Sequence, residues 1–318
     1  MSSMFCKREF TMNLKCSKWI ERYRPDHVKD VIVPKKYRKF FDDIVATKDL
    51  PNLFLYGKKG TGKTSMALAL INDLHAQVFE INSSTDGRME VLKEKLTNWA
   101  RTKAPNNEPK IIFLDEFDGC SPAFQAGLRK LMEETALKCS YIMTCNFPTK
   151  VIDALQEGRT MEFNFNFPEK EDQESMKELI AKRIFGILHY EKVDYDTEAV
   201  KRLIELKGNS IRTILSLLQK YARIHGRIDS KIAAFADVDD KIIDMIKQHN
   251  YSAVMELIDE KGYQDVDVYE FLFERLAPIC PKKGSAILTI GQYEAAGATS
   301  RLPRVQLACC IVSLCALF

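Results

Sequence analysis

The chain has 318 residues, 46% hydrophobic and 29% charged, too apolar for a disordered segment and long enough for two or three domains at roughly 100–200 residues each. Its net charge of +3 names no partner, because residues 1–40 carry eleven Lys/Arg against four Asp/Glu, a local +7, while the remainder carries −4. The opening MSSMFCKREF lacks the apolar stretch of a secretory signal, and the longest apolar run, VQLACCIVSLCALF, falls short of the roughly 20 residues of a membrane span, so no leader and no membrane partner are expected. Nine Cys without a CxxC pair and five scattered His predict buried thiols in a reducing compartment and no zinc site.

Asn52–Leu55 is a short apolar run that stops at Gly57, the pattern of a buried strand, and a Gly/Lys loop then opens the helical stretch TSMALALINDLHA. Gln77–Ile81 predicts a second strand, NSSTDG a loop, and Arg88–Lys103 a helix with Met89, Leu92, Leu96 and Trp99 on one face. After a turn at Ala104–Pro109, Lys110–Leu114 is a strongly apolar third strand. Ser121 and Pro122 supply the N-cap and first position of a helix running to Ala136. Tyr141–Cys145 and Thr160–Phe165 complete five strands. Alternation of strand and helix predicts an α/β core, a parallel sheet with helices on both faces. Beyond Phe167-Pro168 only helical stretches are legible, so three parts are expected: an α/β core over 1–167, a helical part over 168–236 and a second helical part over 237–318.

Residues 57–64, Gly-Lys-Lys-Gly-Thr-Gly-Lys-Thr, fit G-x-x-x-x-G-K-[ST] after a strand and at the start of a helix, which is where phosphate binding needs them. Gly57, Gly60 and Gly62, with Thr61, let backbone N–H groups curl around phosphates, helped by the positive end of the helix that Ser65 continues. Lys63 would reach phosphate oxygens as a point charge, and the Thr64 hydroxyl would ligate Mg²⁺. The strand Ile111–Leu114 ends in Asp115 and Glu116 at the sheet edge where α/β folds bind ligands. Asp115 would hold the metal through water, and Glu116 would act as general base on the attacking water. A small-molecule kinase has no general need for that second carboxylate; an ATPase does.

Taken together these residues resemble a known family. Asp115-Glu116-Phe117-Asp118, the helix bearing Gln125 and Leu128–Glu133, Thr144-Cys145-Asn146, and the opening Trp19–Pro25 are similar to the AAA+ ATPase subunits of sliding-clamp loaders. The resemblance is nearest to the large subunit of T-even-type phage clamp loaders, itself similar to replication factor C small subunits; length, the Asp115–Asp118 box and the lack of the bacterial type's zinc-binding cysteines favour the phage type. Asn82–Asp86 looks like the family's N-A-S-D-D loop. The resemblance implies ATP and Mg²⁺ as cofactors, an adenine bordered by Ile20, Glu21, Arg22, Tyr23 and Ile32, and Asn146 as a strand-end amide facing the γ-phosphate or attacking water. It further implies that Arg212 reaches the phosphates from a helical lid, coupling nucleotide state to domain angle. Arg159 is the candidate arginine finger acting on a neighbour's ATP, although the family's Ser-Arg-Cys is here Gly158-Arg159-Thr160, one residue further from Asn146. Its other reading is a surface arginine after a turn.

The implied partners are a sliding clamp, the loader's small subunit and further copies of the chain in a ring, primer-template DNA and, indirectly, DNA polymerase, in a cytoplasm (a bacterial host's if phage-encoded). No base-reading motif is present. DNA would be met through shape and phosphates, with Arg88 and Arg129-Lys130 either contacts or solvated surface. Lys35–Lys39 reads as a solvated helix face. Phe124 is either a clamp-facing aromatic or core, and the last helix either packs in a collar between subunits or is buried within its own chain. The alternatives are a replication initiator or helicase loader, which would carry an added DNA-binding domain, and a nucleotide-binding scaffold without hydrolysis, against which Lys63, Glu116 and Asn146 argue.

Overall fold

The apolar runs become five parallel strands: β1 Leu53–Tyr56, β2 Gln77–Asn82, β3 Lys110–Asp115, β4 Ser140–Cys145 and β5 Met161–Asn164. They are ordered β2-β3-β4-β1-β5 in one sheet. The computed structural model describes residues 18–82, 89–102, 108–156, 158–233, 238–261, 263 and 265–318, and it divides into two compact units at Ile232/Ala233. The loop likened to N-A-S-D-D, beyond Asn82, and Arg88 lie outside the described residues.

Position in the sheet explains the composition of each strand. The central β1, β3 and β4 are buried along nearly their whole length and read as continuous apolar runs, as strands covered on both faces must. The edge strands β2 and β5 carry exposed side chains instead. On one face Phe54, Ile112, Leu114, Tyr141 and Met143 pack with Leu96 and Ala100 of α4 (Met89–Arg101) and with Phe124, Leu128, Leu131 and Met132 of α5 (Pro122–Thr135). The alternate residues point to the other face, where α3 (Lys63–Asp73) crosses β3 and β4 and α2 (Lys35–Thr47) packs on α3. Phe124 is therefore core, 5% exposed, and does not present an aromatic to a partner. Ser121 caps α5 as expected, its hydroxyl accepting from Phe124 N–H at 3.3 Å, with Pro122 next.

The basic run is only partly a solvated face. Lys36 pairs with Glu169 (2.7 Å) and Asp172 (2.6 Å), Arg38 donates to the Val28 and Val31 carbonyls, and the Tyr37 ring packs on Phe163, Phe165 and Phe167. Charge density on the linear chain hid which cations have carboxylate or carbonyl partners.

α7 (Lys170–Tyr190), α8 (Thr197–Lys207) and α9 (Ile211–His225) continue the first unit. Helix is not the only element here: Asp194-Tyr195 and Arg227-Ile228 form a two-stranded parallel pair, β6 and β7. Two residues are too few to show a period-2 pattern in sequence. The second unit holds helices Val238–Lys247, Tyr251–Lys261, Asp265–Phe271, Lys283–Thr299 and Pro303–Cys315. Leu307, Cys310, Ile311, Leu314 and Cys315 of the last helix sit in that unit's core, so most of its apolar surface is used within the chain, whereas Val305 and Val312 stay exposed. No helix among the described residues is long and apolar enough to cross a membrane.

Among the described residues, Gln125 is the one amide side chain buried in the first unit, at 1% exposure. Its Nε2 donates to the Cys120 and Lys150 carbonyls (3.0 Å each), and its Oε1 accepts from Ile152 N–H at 2.9 Å, tying α5 to the segment that leads to Arg159. Gln125→Leu would leave three backbone groups without this partner, so a destabilisation of about 3 kcal/mol is expected, read as a lower urea midpoint of the nucleotide-free chain. A midpoint equal to that of the unmodified chain would show that water replaces the amide without loss.

Candidate active site

β1 delivers the chain into a loop that only glycine-rich sequence can follow. Gly57, Gly60 and Gly62 have φ of 146°, 82° and 101°, conformations that side-chain-bearing residues rarely adopt. The loop is also crowded from outside. A Cβ on Gly57 would meet Asn166 Oδ1 at 3.0 Å, and one on Gly60 would meet Ser210 Oγ at 2.5 Å. Asn166 Oδ1 accepts from Lys58 N–H at 2.7 Å, and the Thr61 hydroxyl donates to the Lys58 carbonyl at 2.9 Å, so the curl is held from within and from β5's far end. α3 starts at Lys63, directing its free N–H groups into the loop.

Lys63 is almost fully buried, and its ammonium donates to the Gly57 carbonyl (2.6 Å), the Lys58 carbonyl (2.8 Å) and Asn146 Oδ1 (3.1 Å). Thr64 Oγ1 donates to Asp115 Oδ1 at 2.9 Å. Thr144, at the end of β4 and 1% exposed, donates its hydroxyl to that same Asp115 oxygen and accepts from Glu116 N–H at 3.1 Å. One hydroxyl thus holds both strand-end acidic residues. Glu116 sits at φ 53°, ψ 45°, a left-handed conformation costing about 1–2 kcal/mol for a residue with a Cβ. The turn it makes sends Asp118 back toward β4, where its carboxylate accepts from Asn146 N–H and Phe147 N–H, 3.2 Å each.

Lys63, Thr64, Asp115, Glu116, Thr144 and Asn146 line one cavity of about 390 Å³. Of the residues singled out in sequence, Ile20, Glu21, Tyr23, Ile32, Gly60, Gly62, Lys63, Thr64, Ser65, Asp115, Glu116, Asn146 and Arg212 line it. Gly57 and Thr61 shape the loop behind it. Arg22 is placed away from the wall, its guanidinium on Glu191 at 2.6 Å. Arg159 stands outside the cavity of its own chain, with Nη1 donating to the Ala154 carbonyl (2.8 Å) and Nη2 to Glu133 Oε1 (2.7 Å). Arg129 and Lys130 are exposed on α5. Sequence reasoning missed Arg183, Ile187 and Leu215, which reach the cavity from α7 and α9, and the roles of Thr144 and Asp118, since nothing local in the chain marks them.

The donor set fits a nucleoside triphosphate with Mg²⁺: amide-rich curl, buried ammonium, helix N-terminus, and a hydroxyl–carboxylate pair beside it. Thr64, phosphate oxygens and water would hold the ion, with Asp115 behind. Burial pushes the Lys63 ammonium down to about 8. An anionic phosphate favours the charged form, so binding takes up a proton only where the free lysine has lost one. ATP affinity is expected to be flat below pH 8 and to weaken above it, by up to about tenfold per pH unit. Nucleotide titrations between pH 7 and 9.5 check this; a flat profile would mean that Lys63 stays charged throughout.

A family model described as "ATPase family associated with various cellular activities (AAA)" matches residues 53–169. The replication factor C small subunit of Archaeoglobus fulgidus is 30% identical over 274 residues, 81% of this chain and 83% of that protein. That of Sulfolobus acidocaldarius is 32% identical over 216 residues, 66% of this chain, and the match spans 64% of the relative's own length. Among solved structures, the Thermotoga maritima RuvB Holliday junction branch migration motor superposes with a TM-score of 0.54 at 16% identity, over 76% of this chain and 86% of that one, a likeness of fold.

Proposed function

The chain belongs to the replication factor C small-subunit family of AAA ATPases, and from that premise we propose that it is an ATP-hydrolysing motor subunit of a sliding-clamp loader. The observation that carries this reading is that one cavity gathers residues of the phosphate loop, both strand-end acidic residues, Asn146 and, from the helical half, Arg212.

Lys63 and the loop amides neutralise phosphate charge, and Thr64 with Asp115 would hold Mg²⁺, which when bound withdraws electron density from the phosphates and spreads their developing charge. Glu116 takes a proton from the attacking water, and Asn146, held by Asp118, orients that water or the γ-phosphate. Arg212 opens α9 at the cavity edge, and residues 168–236 act as the lid that it couples to nucleotide state. Arg159, outside its own cavity, is the finger offered to a neighbouring copy's nucleotide. Residues 237–318 serve as the collar, which exposed Phe273, Leu288, Val305 and Val312 support. In this reading ATP binding closes a ring of subunits on a clamp and primer-template DNA, hydrolysis releases both, and no bond in DNA is made or broken.

The test is steady-state ATP hydrolysis by the assembled loader, with and without clamp and primer-template DNA. Stimulation by both is expected. Turnover indifferent to either would leave an AAA ATPase and remove the clamp-loading role, and binding without turnover would favour a scaffold subunit.

A further inference from the structure

The N-terminal lip changes its attachment from one half of the first unit to the other within a few residues. Up to Tyr23, bonds reach the helical half. Trp19 N–H donates to Gln219 Oε1 on α9 at 3.1 Å, Arg22 Nη1 to Glu191 Oε1 at 2.6 Å, and the Tyr23 hydroxyl to that same Glu191 oxygen. Arg183 Nη2 on α7 donates to the Tyr23 carbonyl at 3.3 Å. The Tyr23 ring also meets Trp19 and Tyr190 edge-on, centroids 6.5 and 6.4 Å apart. From Asp26 onward the bonds run to the core: Asn72 Nδ2 donates to the Asp26 carbonyl (2.9 Å), His27 Nδ1 lies 2.6 Å from Asp73 Oδ1, and Val28 N–H donates to Asp73 Oδ2 (2.8 Å). Arg24 and Pro25, at the changeover, line the cavity.

We propose that Glu191 is a positioning residue for nucleotide: it fixes the first part of the lip to the end of α7, so that the Ile20–Tyr23 part of the wall against the base is carried by the helical half, while Asp30–Ile32 stay with the phosphate-binding core. The proposal rests on the reading of this cavity as a nucleotide site. Glu191 follows the last turn of α7, and one of its carboxylate oxygens takes both a guanidinium and a phenol. Its side chain is 17% exposed, so the pair with Arg22 is screened less than a surface ion pair. A bound nucleotide then bridges the halves, the loop gripping its phosphates and the lip its base. Inorganic tripolyphosphate, which has no base, makes no such bridge through the lip.

The experiment compares the affinities of the chain for ATP and for inorganic tripolyphosphate, both with Mg²⁺, in the unmodified chain, Glu191→Gln and Tyr23→Phe. Glu191→Gln is expected to weaken ATP about tenfold and tripolyphosphate by less than about twofold, as the loss of a charge-assisted anchor on the base side requires. Tyr23→Phe, which removes one of the two bonds to Glu191, should shift ATP in the same direction by less. Amide hydrogen exchange in Glu191→Gln should quicken over residues 18–25 and not over 26–33. Equal losses for both ligands, or unchanged ATP affinity in both variants, would overturn the assignment of Glu191. An unmodified chain that binds neither ligand would instead overturn the nucleotide site on which it rests.

Discussion

Glu116→Gln is expected to lower steady-state ATP turnover by about 10²–10⁴-fold while the chain still binds ATP, because the amide keeps the size of the carboxylate but cannot accept the proton of the attacking water. The geometry makes the substitution a clean one. The backbone of Glu116 is held by Thr144 through its N–H, and Asp115 is held by the same hydroxyl, so neither restraint depends on the Glu116 carboxylate. Nucleotide affinity measured directly, alongside turnover, separates the effects. Turnover within a few-fold of the unmodified protein would assign the base to another group, and loss of binding would mean that Glu116 holds nucleotide and does not act on water.

Arg159→Ala should cost the assembled loader about 10³-fold or more in turnover, the scale on which a charge supplied in trans to a phosphoryl-transfer transition state acts. Arg159 lies outside the cavity of its own chain, so the isolated chain should keep its affinity for ATP. In this structure the guanidinium is engaged by Glu133 and the Ala154 carbonyl, so reaching a neighbour's phosphates means leaving or sharing those partners. Mixing variant and unmodified subunits gives the sharper readout: turnover should fall with the fraction of variant supplied as neighbour. Unchanged turnover in the pure variant assembly would return Arg159 to the status of a surface arginine.

What was legible in the sequence shares one property, which is that its chemistry is contiguous. The phosphate loop is eight consecutive residues, β3 runs directly into Asp115 and Glu116, and Ser121-Pro122 states a helix start in two letters. What was missed comes together only in three dimensions. Thr144 stood in plain view beside Asn146, yet its link to both acidic residues crosses about thirty positions of chain, and no local pattern encodes it. Arg183 on α7 and Glu191 just past its end carry no local signal in the sequence, and it is the returning N-terminal segment that meets them. Arg22 is contiguous in sequence with residues that line the cavity, but a short helix turns successive side chains to different sides, and its guanidinium meets Glu191. Phe124 was ambiguous because an apolar residue in the first turn of a helix faces core or solvent according to what lies beneath it, and here that is the sheet.

The approach of Gly60 to Ser210 has a genetic consequence. The absence of a side chain at 60 serves the phosphate loop through its φ of 82° and the helical half through the space left for the Ser210 hydroxyl. A substitution there should therefore act as a wedge as well as a backbone strain, and the two components should separate in a second-site background. Ser210→Gly would relieve the wedge and leave the strain, so effects at these two positions, 150 residues apart, are expected to be epistatic and not additive.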